Sequence, residues 1–462
     1  LSDQLARLLV EEEGLVPGNR VFLRGPNTAF LFAAWFAVVK AGGVAVATMP
    51  MLRTAEMAAV LDASEASHAI VDARCLADFQ PLEHRFRSVL SYEGDAGTGA
   101  LEARLADILP EFKPAATRAD DVALIAFTSG TTGKPKGCVH LHRCILAAAD
   151  GFARHVLAPR AGDVHAGSPP IAFTFGLGGL LIFPFRFRGT AVTVEQPNPA
   201  ALLDAIERHG VTTLYTAPTA YKAMLAQLPG RDLSSLHTCV SAGEHLPAPV
   251  WQAWADATGL RIVDGIGATE MMHIFISASG DDIRPGATGR PVPGYTACVL
   301  DDEGRALSEG FGRLAVKGPT GCRYLADPRQ SLYVRDGWNV TGDTYRIDED
   351  GYFWFVARSD DMIVTSGYNV AGPEVETALL AHPAVAECAV VGAADPDRGM
   401  IVKAYVVPAH AGSHDESLVK TLQDHVKATI APYKYPRAIE FVDALPKTAT
   451  GKVQRYALRA RA

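Results

Sequence analysis

A large α/β domain of layered sheets and helices, followed by a small α+β domain, is the architecture that the sequence predicts. The chain has 462 residues, 48% of them hydrophobic, which can form a large core and exceeds the length of one ordinary domain. Short β-branched runs alternate with helical stretches early in the chain. From Gly351 onward the pattern changes to hairpins mixed with helices. We therefore expect a large domain over residues 1–359 and a small domain over residues 360–462.

The first predicted elements alternate in type. The strands are expected at residues 20–23, 44–47, 68–71 and 122–127, and the helices at residues 30–40 and 55–61. This alternation favours parallel strands covered by helices. Ahead of them, an apolar helical face is formed by Leu1, Leu5, Leu8 and Leu9. Because the chain starts inside this pattern without an initiator Met or a signal peptide, we expect a further segment to precede Leu1.

The later elements follow from the same reasoning. Residues 115–120 form a polar connector, and helices are expected at residues 373–381 and 418–430. The boundary between the two domains is placed near Asp360, in the polar run ARSDD.

Charge and cysteine usage exclude several classes of function. Acidic residues outnumber basic ones, 51 to 43, and no long basic run appears, so nucleic acid is not an expected partner. Seven separated cysteines lack the spacing of zinc ligands or a redox dithiol, which indicates a reducing cytoplasm. The most apolar stretch, residues 30–39, is too short to cross a bilayer. We expect no membrane partner and a cytoplasmic location.

The segment FTSGTTGKPKG, residues 127–137, is too polar for a core and too rich in glycine and threonine for a helix interior. It follows a predicted strand and precedes a predicted helix, the order in which α/β proteins bind phosphates. The P-loop pattern fails, because Thr128 replaces the first glycine and Pro135 follows Lys134. The Rossmann pattern fails as well, in both GIGATE and GLGGLL. The remaining readings are a polyphosphate-binding loop, with Lys134 and Lys136 offsetting the charge, and a solvent-exposed linker.

Five further motifs follow this loop along the chain. They are SAGEHLP (residues 241–247), DGIGATE (264–270), TGD (341–343), ARSDDMIVTSGYNVAGPEVE (357–376) and PKTATGKVQR (446–455). Together with the loop, this ordered series resembles the acyl-adenylate-forming enzymes, which include acyl- and aryl-CoA ligases, nonribosomal adenylation domains and luciferases. The resemblance covers nearly the whole chain. It implies a small domain joined by a hinge, and the use of ATP, Mg²⁺ and coenzyme A.

The resemblance also assigns expected roles to single residues. The ATP-binding residues would be Thr128, Ser129, Gly130, Thr131, Thr132, Gly133, Lys136, Gly243, Glu244, Asp264, Gly265, Ile266, Asp343 and Arg358. The catalytic residues would be Lys452, Glu270, Thr269 and Asp360, with Glu270 binding Mg²⁺, Thr269 touching the phosphates and Asp360 acting as the hinge. Lys452 would enter the active site, where an ammonium can stabilise the charge that develops when a carboxylate attacks a phosphate. On residue type alone, Glu270 could be a solvated loop acid, Asp343 a turn residue and Lys452 a surface lysine.

CoA contacts are implied by the same resemblance. Gly367 corresponds to the loop that approaches the pantetheine arm of CoA. Asn369 departs from the arginine of some relatives, so no CoA or phosphate contact is carried over to that position.

The resemblance places the acyl-binding residues at Phe173, Thr174, Phe175, Ala242, Gly267, His273 and Ile274. Amino-acid-activating relatives carry an aspartate where this chain has Thr174. Burying an unpaired ammonium costs several kcal/mol, so an α-amino acid is disfavoured. Phe173 and Phe175 suggest a flat apolar slot, although either could be ordinary core. His273 could hydrogen-bond the substrate or be satisfied within the core.

The sequence therefore predicts an ATP-dependent aryl-CoA ligase for a small aromatic acid, most similar to benzoate- and 2-aminobenzoate-CoA ligases. The acid would become an acyl-AMP with release of pyrophosphate, and the CoA thiol would then attack it. Two alternatives stay open at this point, a medium-chain fatty acyl-CoA ligase and a non-catalytic nucleotide-binding relative. A monomer or a homodimer is expected.

Overall fold

The protein is described by a computed structural model over residues 1–93, 99–128, 135–358, 361–365, 368–395, 399–410, 416–430, 432–447 and 452–462. Within these ranges, no helix combines the length and the apolar character needed to cross a bilayer.

The first third of the chain forms a six-stranded sheet with helices packed on it. Its elements are α1 (Ser2–Glu11), β1 (Arg20–Arg24), α2 (Ala29–Lys40), β2 (Val44–Thr48), α3 (Thr54–Ser64), β3 (His68–Asp72), α4 (Leu76–Phe79), β4 (Ser88–Tyr92), α5 (Ala100–Ala106), β5 (Val122–Thr128), β6 (Lys136–Leu141) and α6 (His142–Ala148). The strand order is β4-β3-β1-β2-β5-β6, and all neighbours except β5 and β6 pair in parallel. The predicted alternation is confirmed. Leu5, Leu8 and Leu9 are buried on α1, whereas Leu1 is 50% exposed.

The predicted order of strand, loop and helix around residues 127–137 is wrong. The chain returns from β5 as the antiparallel strand β6, with Thr128 opposite Lys136, so the loop connects a hairpin. Residues 137–141 of β6 are buried, because their side chains pack into the sheet at its edge. The lysines flanking this stretch obscured its apolar character.

A second sheet of seven strands follows. Its elements are β7 (Val164–Gly167), α7 (Thr174–Gly176), α8 (Phe183–Arg186), β8 (Thr190–Ala191), α9 (Pro199–His209), β9 (Thr213–Thr216), α10 (Pro218–Leu225), β10 (Thr238–Ala242), α11 (Ala248–Thr258), β11 (Ile262–Gly267), β12 (Ile274–Ser277) and β13 (Arg290–Pro291), with π-helical segments at Ala149–Leu157 and Leu177–Ile182. The strand order is β13-β12-β11-β10-β9-β7-β8. The strands from β8 to β11 pair in parallel, and β12 and β13 pair antiparallel.

A third, entirely antiparallel sheet completes the large domain. Its elements are β14 (Thr296–Leu300), β15 (Ala306–Leu307), β16 (Gly310–Lys317), α12 (Gln330–Tyr333), β17 (Val334–Arg335), β18 (Trp338–Ile347) and β19 (Phe353–Arg358). The strands lie in the order β15-β14-β16-β18-β17, and β19 pairs with β18. The change to hairpins thus begins at Thr296, earlier than the predicted change at Gly351.

The small domain contains its own hydrophobic core. Its elements are β20 (Ile363–Thr365), β21 (Tyr368–Val370), α13 (Gly372–Leu380), β22 (Val385–Asp395), β23 (Gly399–Pro408), α14 (Glu416–Thr429), β24 (Ala438–Phe441) and α15 (Arg455–Arg459). β20 pairs with β21, and the other three strands form a sheet in the order β22-β23-β24. Val375, Val402 and Leu422, from two helices and a strand, meet in the core of this domain. The helices predicted at residues 373–381 and 418–430 are confirmed with small shifts at their ends.

Candidate active site

A cavity of about 560 Å³ lies where the first and second sheets meet. Much of its wall is formed by the turns that follow parallel strands, namely those after β1, β2, β7, β9 and β10. Sheets of this type usually bind ligands beyond the carboxyl ends of their strands. Eleven residues singled out in the sequence line the cavity: Phe173, Thr174, Phe175, Ala242, Gly243, Glu244, Gly267, Thr269, His273, Ile274 and Lys452.

His273 is a neutral core residue at the cavity wall. It is 2% exposed, and burial lowers the pKa of its imidazole to about 3. Its Nε2 donates a hydrogen bond to the Phe175 carbonyl oxygen at 3.4 Å, which places the proton on that nitrogen. The ring packs edge-on to Phe183 with the centroids 4.7 Å apart. His273 therefore braces the segment that carries Phe175 rather than acting as a cation.

The backbone before His273 is strained. Met272 has φ +69° and ψ −43°, and the N–H of His273 donates to the Met271 carbonyl oxygen at 2.8 Å. This three-residue turn costs on the order of 1–3 kcal/mol for a residue with a side chain. The turn directs the chain from Glu270 into β12, so Glu270 is fixed relative to His273 and Ile274.

Glu270 is buried among polar partners. It is 9% exposed, and its Oε1 accepts a 2.6 Å hydrogen bond from the Tyr324 hydroxyl. The Lys136 ammonium lies 3.6 Å from the same oxygen and donates to the Tyr324 hydroxyl at 3.1 Å. Glu270 is therefore a fixed carboxylate rather than a solvated loop acid. Tyr324 was not identified from the sequence.

His140, also missed in the sequence, positions Thr269. Its Nε2 donates to the Thr269 carbonyl oxygen at 2.7 Å, and burial lowers the pKa of the imidazole to about 4. A neutral histidine is thus built into the wall beside Glu270.

Lys452 enters the cavity from the small domain. A Cβ built on Gly243 would lie 3.8 Å from Cε of Lys452, an ordinary van der Waals distance, so the two residues are neighbours, and it is the φ of +90° that favours glycine at position 243. The side chain keeps an accessible surface inside the cavity, while the surrounding protein reduces its hydration. This burial lowers the pKa of the Lys452 ammonium, and the nearby Arg358 lowers it further, whereas Glu244 and Asp343 raise it.

Asp343 and Arg358 lie opposite each other on β18 and β19. Their side chains form an ion pair, with Nη1 of Arg358 3.3 Å from Oδ1 of Asp343. A Cβ on Gly342 would lie 2.6 Å from Nη2 of Arg358, so the guanidinium rests on the backbone of the TGD motif. The structure brings this pair close enough to Lys452 for all three charges to interact.

The DGIGATE strand contributes less directly. Burial raises the pKa of the Asp264 carboxyl to about 7, and neighbouring hydrogen-bond donors only partly offset this effect. Asp264 lines a second, very small void rather than the main cavity. A Cβ on Gly265 would lie 2.6 Å from Cγ2 of Ile274, so this glycine is needed for packing. Ile266 is half-buried on the same strand.

Several predicted site residues lie outside the described residues, namely Ser129, Gly130, Thr131, Thr132, Gly133, Lys134, Asp360 and Gly367. Thr128 and Lys136, at the two ends of the predicted phosphate-binding loop, are described and pair on adjacent strands.

Other parts of the cavity wall were not identified from the sequence. These are Pro26, Asn27, Met49, Pro50, Met51, Ser168, Pro169, Pro170, Val194, Glu195, Pro197, Pro199, Ala217, Thr219, Ala220 and Ala268. Most of them stand in turns directly after strands, a placement that the predicted strand ends could have indicated.

Comparison with known proteins agrees with this geometry. Residues 1–324 match the AMP-binding enzyme family, and residues 374–452 match the AMP-binding enzyme C-terminal domain. The chain is 39% identical over 455 residues to benzoate–CoA ligase of Thauera aromatica, covering 96% of this chain and 86% of the relative.

Two solved structures are similar over the whole chain. The anthranilate CoA ligase AuaEII in complex with anthranoyl-AMP superposes with a TM-score of 0.94 at 36% identity, covering 100% of this chain and 90% of that one. A benzoate CoA ligase from Burkholderia xenovorans LB400 gives 0.90 at 33% identity, with coverages of 99% and 93%. With its two matched domains, its fold and its ordered motifs, the chain belongs to the family of AMP-binding enzymes and is an AMP-forming acid–thiol ligase.

Proposed function

We propose that the protein is an aryl-CoA ligase that activates a small aromatic carboxylate of the benzoate or 2-aminobenzoate type. The observation that carries this proposal is the wall formed by Phe173, Thr174 and Phe175, which offers two aromatic rings and has a threonine where amino-acid-activating relatives carry an aspartate. The Phe175 ring lies 5.8 Å from the ring of His273, and that imidazole is neutral. A flat, uncharged ring fits such a wall better than an amino acid does.

The proposed nucleotide end lies towards Lys452. Asp343 would accept hydrogen bonds from the ribose hydroxyls, with Arg358 beside the same sugar. Gly243, Glu244, Asp264, Gly265 and Ile266 would surround the adenine. Thr128, Ser129, Gly130, Thr131, Thr132, Gly133 and Lys136 would hold the phosphates. Among the described residues, Asp343 and Arg358 form an ion pair, and both interact with the charge of Lys452. Such a combination of charges suits a ligand that bears phosphates and hydroxyls.

Glu270 fits the role of a magnesium ligand. Mg²⁺ is usually bound by one or two carboxylates, with substrate phosphates and water completing the set. Among the described residues, no group of three or more His, Cys, Asp or Glu side chains could enclose a metal, and a single fixed carboxylate agrees with that mode. When bound, the ion would neutralise charge on the phosphates. Lys136, 3.6 Å from the same carboxylate, would share this task.

Two transfers follow from this arrangement. The acid carboxylate attacks the α-phosphorus of ATP, and pyrophosphate leaves. Lys452 stabilises the negative charge that develops as the two anions meet. The CoA thiol then loses its proton and attacks the carbonyl carbon, and the bond to AMP breaks. We place the contact with the pantetheine arm at Gly367.

We also propose that the small domain begins at residue 360 and rotates between the two transfers about Asp360. The last strand of the large domain ends at Arg358, and the core of the small domain begins at Ile363. A few residues between two cores can absorb a large change in backbone angles.

We also propose a cytoplasmic location, which is supported by the seven cysteines, all of them free thiols.

A pyrophosphate-release screen tests the substrate. Benzoate, 2-aminobenzoate, hexanoate, octanoate and phenylalanine would be compared with ATP, magnesium and CoA present, and the thioester product would be identified by mass. We expect an aromatic acid to have a kcat/KM about tenfold or more above the alkanoates, a difference of roughly 1.4 kcal/mol. An alkanoate favoured by the same factor would replace this proposal with a medium-chain acyl-CoA ligase.

A further inference from the structure

We propose that residues 24–27, Arg24-Gly25-Pro26-Asn27, set the enzyme's selectivity among acids by holding two separate walls of the cavity. We call this segment the RGPN turn. It follows β1 directly, and Pro26 and Asn27 line the cavity. The inference rests on the proposed function, because it takes the cavity as the place where the acid binds.

Arg24 holds the first wall, the turn of residues 49–52 after β2. The residue is 1% exposed. Its guanidinium donates hydrogen bonds to the carbonyl oxygens of Met49 at 2.8 Å and of Pro50 and Leu52 at 2.9 Å, and a longer one of 3.4 Å to Cys75. Hydrogen bonds to three carbonyl groups of one turn fix the path of its backbone, and residues 49–51 of this turn line the cavity.

Asn27 holds the second wall, the segment of residues 168–176 after β7. It is 6% exposed, and its Nδ2 donates to the Pro169 carbonyl oxygen at 3.0 Å. Its Oδ1 accepts a hydrogen bond from the Ile171 N–H, also at 3.0 Å. One side chain thus uses both ends of its amide to join the first sheet to the second across more than 140 residues.

The segment that Asn27 holds is the one that carries the aromatic wall. The Phe173 N–H donates to the Pro170 carbonyl oxygen at 3.0 Å, which closes a tight turn that starts one residue after Pro169 and contains Ile171. A Cβ on Gly176 would lie 2.2 Å from the same oxygen, so only a glycine lets the start of the following helical segment approach this turn so closely. A displacement at Pro169 would therefore move Phe173 and its neighbours together.

This geometry makes Arg24 and Asn27 positioning residues rather than catalytic ones. Their hydrogen-bonding groups are engaged with backbone atoms and not aimed at a ligand. The wall that Asn27 holds carries Phe173, Thr174 and Phe175 of the proposed acid site, whereas the proposed nucleotide site is built by Asp343, Arg358 and Lys452. Loosening the RGPN turn should consequently change acid recognition and leave ATP recognition intact.

The experiment compares Asn27→Ala and Asn27→Asp with the unaltered enzyme. Asn27→Asp keeps an acceptor for the Ile171 N–H but places a carboxylate oxygen against the Pro169 carbonyl. Steady-state pyrophosphate release gives KM for the preferred aromatic acid and for ATP, and kcat/KM for that acid and for its bulkier 4-methyl derivative. Misplacement of a binding wall by a fraction of an ångström should raise KM for the acid about tenfold or more. The preference for the smaller acid should fall by about the same factor, while KM for ATP stays within about twofold.

Thr28→Ala is the matched control. Thr28 is the next residue and is also buried, but its Oγ1 accepts from the Leu31 N–H and caps α2 instead of holding a wall. Thr28→Ala should lower the melting temperature and leave the KM for the acid and the preference between the two acids unchanged.

The inference is overturned if both Asn27 variants keep the acid KM and the acid preference of the unaltered enzyme. It is also overturned if KM for ATP rises as much as KM for the acid, or if Thr28→Ala alters acid preference equally. Absence of acid-dependent pyrophosphate release in the unaltered enzyme would instead overturn the proposed function on which it rests.

Discussion

The environment of Lys452 differs from that of an ordinary surface lysine. It stands on the small domain, yet it shares its surroundings with Glu244, Asp343 and Arg358 of the large domain. A lysine with both acids and an arginine nearby is held in place by partly balanced charges. The lowered pKa of its ammonium shows that burial outweighs the attraction of the two acids.

Replacing Lys452 with Ala should slow acyl-AMP formation while sparing thioester formation from supplied acyl-AMP. Losing one positioned donor to a developing charge costs on the order of 3 kcal/mol, or about a hundredfold in rate. Pyrophosphate exchange measures the first step, and CoA thioester formation measures the second. Lys420→Ala, on the exposed face of α14, is the control and should change neither. An equal loss in both steps would point to a folding defect.

The pH dependence of acyl-AMP formation should report the Lys452 ammonium. Only the protonated form can stabilise negative charge, and its pKa lies below the usual 10.5. The rate should therefore hold at neutral pH and fall as pH rises through this lowered pKa. The measurement is kcat/KM for pyrophosphate release from neutral to alkaline pH. In Lys452→Arg the cation persists, so any residual activity should lack this decline. A decline at or above pH 10.5 in the parent enzyme would contradict the assignment.

Residue identities at the site were predictable only where a motif marked them. Glu270, Asp343 and Lys452 stand in short motifs, and the structure places each beside polar partners. Tyr324 acts through the two hydrogen bonds of its hydroxyl group and His140 through one, and both residues are far in sequence from the motif residues that they contact. Nothing in their local sequence distinguishes them from core residues.

At the level of elements, the π-helical segment Leu177–Ile182 shows how closely the backbone approaches the site. A Cβ on Gly178 would lie 2.4 Å from Cδ2 of His273, and one on Gly179 would lie 2.6 Å from Cδ1 of Tyr215. The sequence GLGG failed as a dinucleotide motif, and its glycines instead serve packing against two rings. Wide helical turns of this kind often occur at functional sites.

Gly178→Ala should therefore displace the His273 ring and weaken acid binding. Overpacking of a filled core costs about 1–3 kcal/mol, and we expect both a lower melting temperature and a higher KM for the acid. Gly151→Ala is the matched control in the neighbouring π-helical segment. Its nearest contact would be 3.7 Å, an ordinary van der Waals distance, so stability and KM should change little. Equal effects of the two substitutions would show that the contact with His273 is not the cause.

Element prediction succeeded where periodicity was strong and failed where polar residues interrupted it. The alternating strands and helices from Arg20 to Asp72 follow their apolar runs closely. The strand β6 was missed, because Lys136 and His140 interrupt its apolar residues. The third sheet was missed until Gly351, since β14 and β16 alternate buried and exposed residues only in part.

On the scale of the whole molecule, the cavity is lined by residues of two domains that have separate hydrophobic cores. Lys452 of the small domain reaches the cavity of the large domain. Val375, Val402 and Leu422 pack within the small domain, while the core of the large domain spans parts of all three sheets. The sequence could indicate two domains through the change of pattern, but not their relative placement. That placement depends on contacts between the domain surfaces, and such contacts do not produce a periodic pattern of apolar residues in the sequence.

One such contact joins Lys222, on α10 of the large domain, to the carbonyl oxygen of Ala386 at the start of β22. The ammonium donates directly to this oxygen across the domain boundary. It forms in the arrangement that also brings Lys452 into the cavity, so both contacts stabilise the same placement of the small domain. A rotation that removed Lys452 would separate Lys222 from Ala386 as well.

Lys222→Met should consequently lower the population of this arrangement and slow acyl-AMP formation. A hydrogen bond from a charged group contributes about 1.5–3 kcal/mol at most, less at an exposed site, so we expect a loss of about threefold to tenfold. Thioester formation from supplied acyl-AMP should be unchanged or faster, because it needs the other arrangement in the proposed cycle.

Lys113→Met is the control, on the exposed connector before β5. It removes the same charge away from the domain boundary and should leave both rates unchanged. High salt should weaken the Lys222 effect in the parent enzyme towards that of the variant. Retention of the full pyrophosphate-exchange rate in Lys222→Met would show that the placement of the small domain is held by the Lys452 surroundings alone.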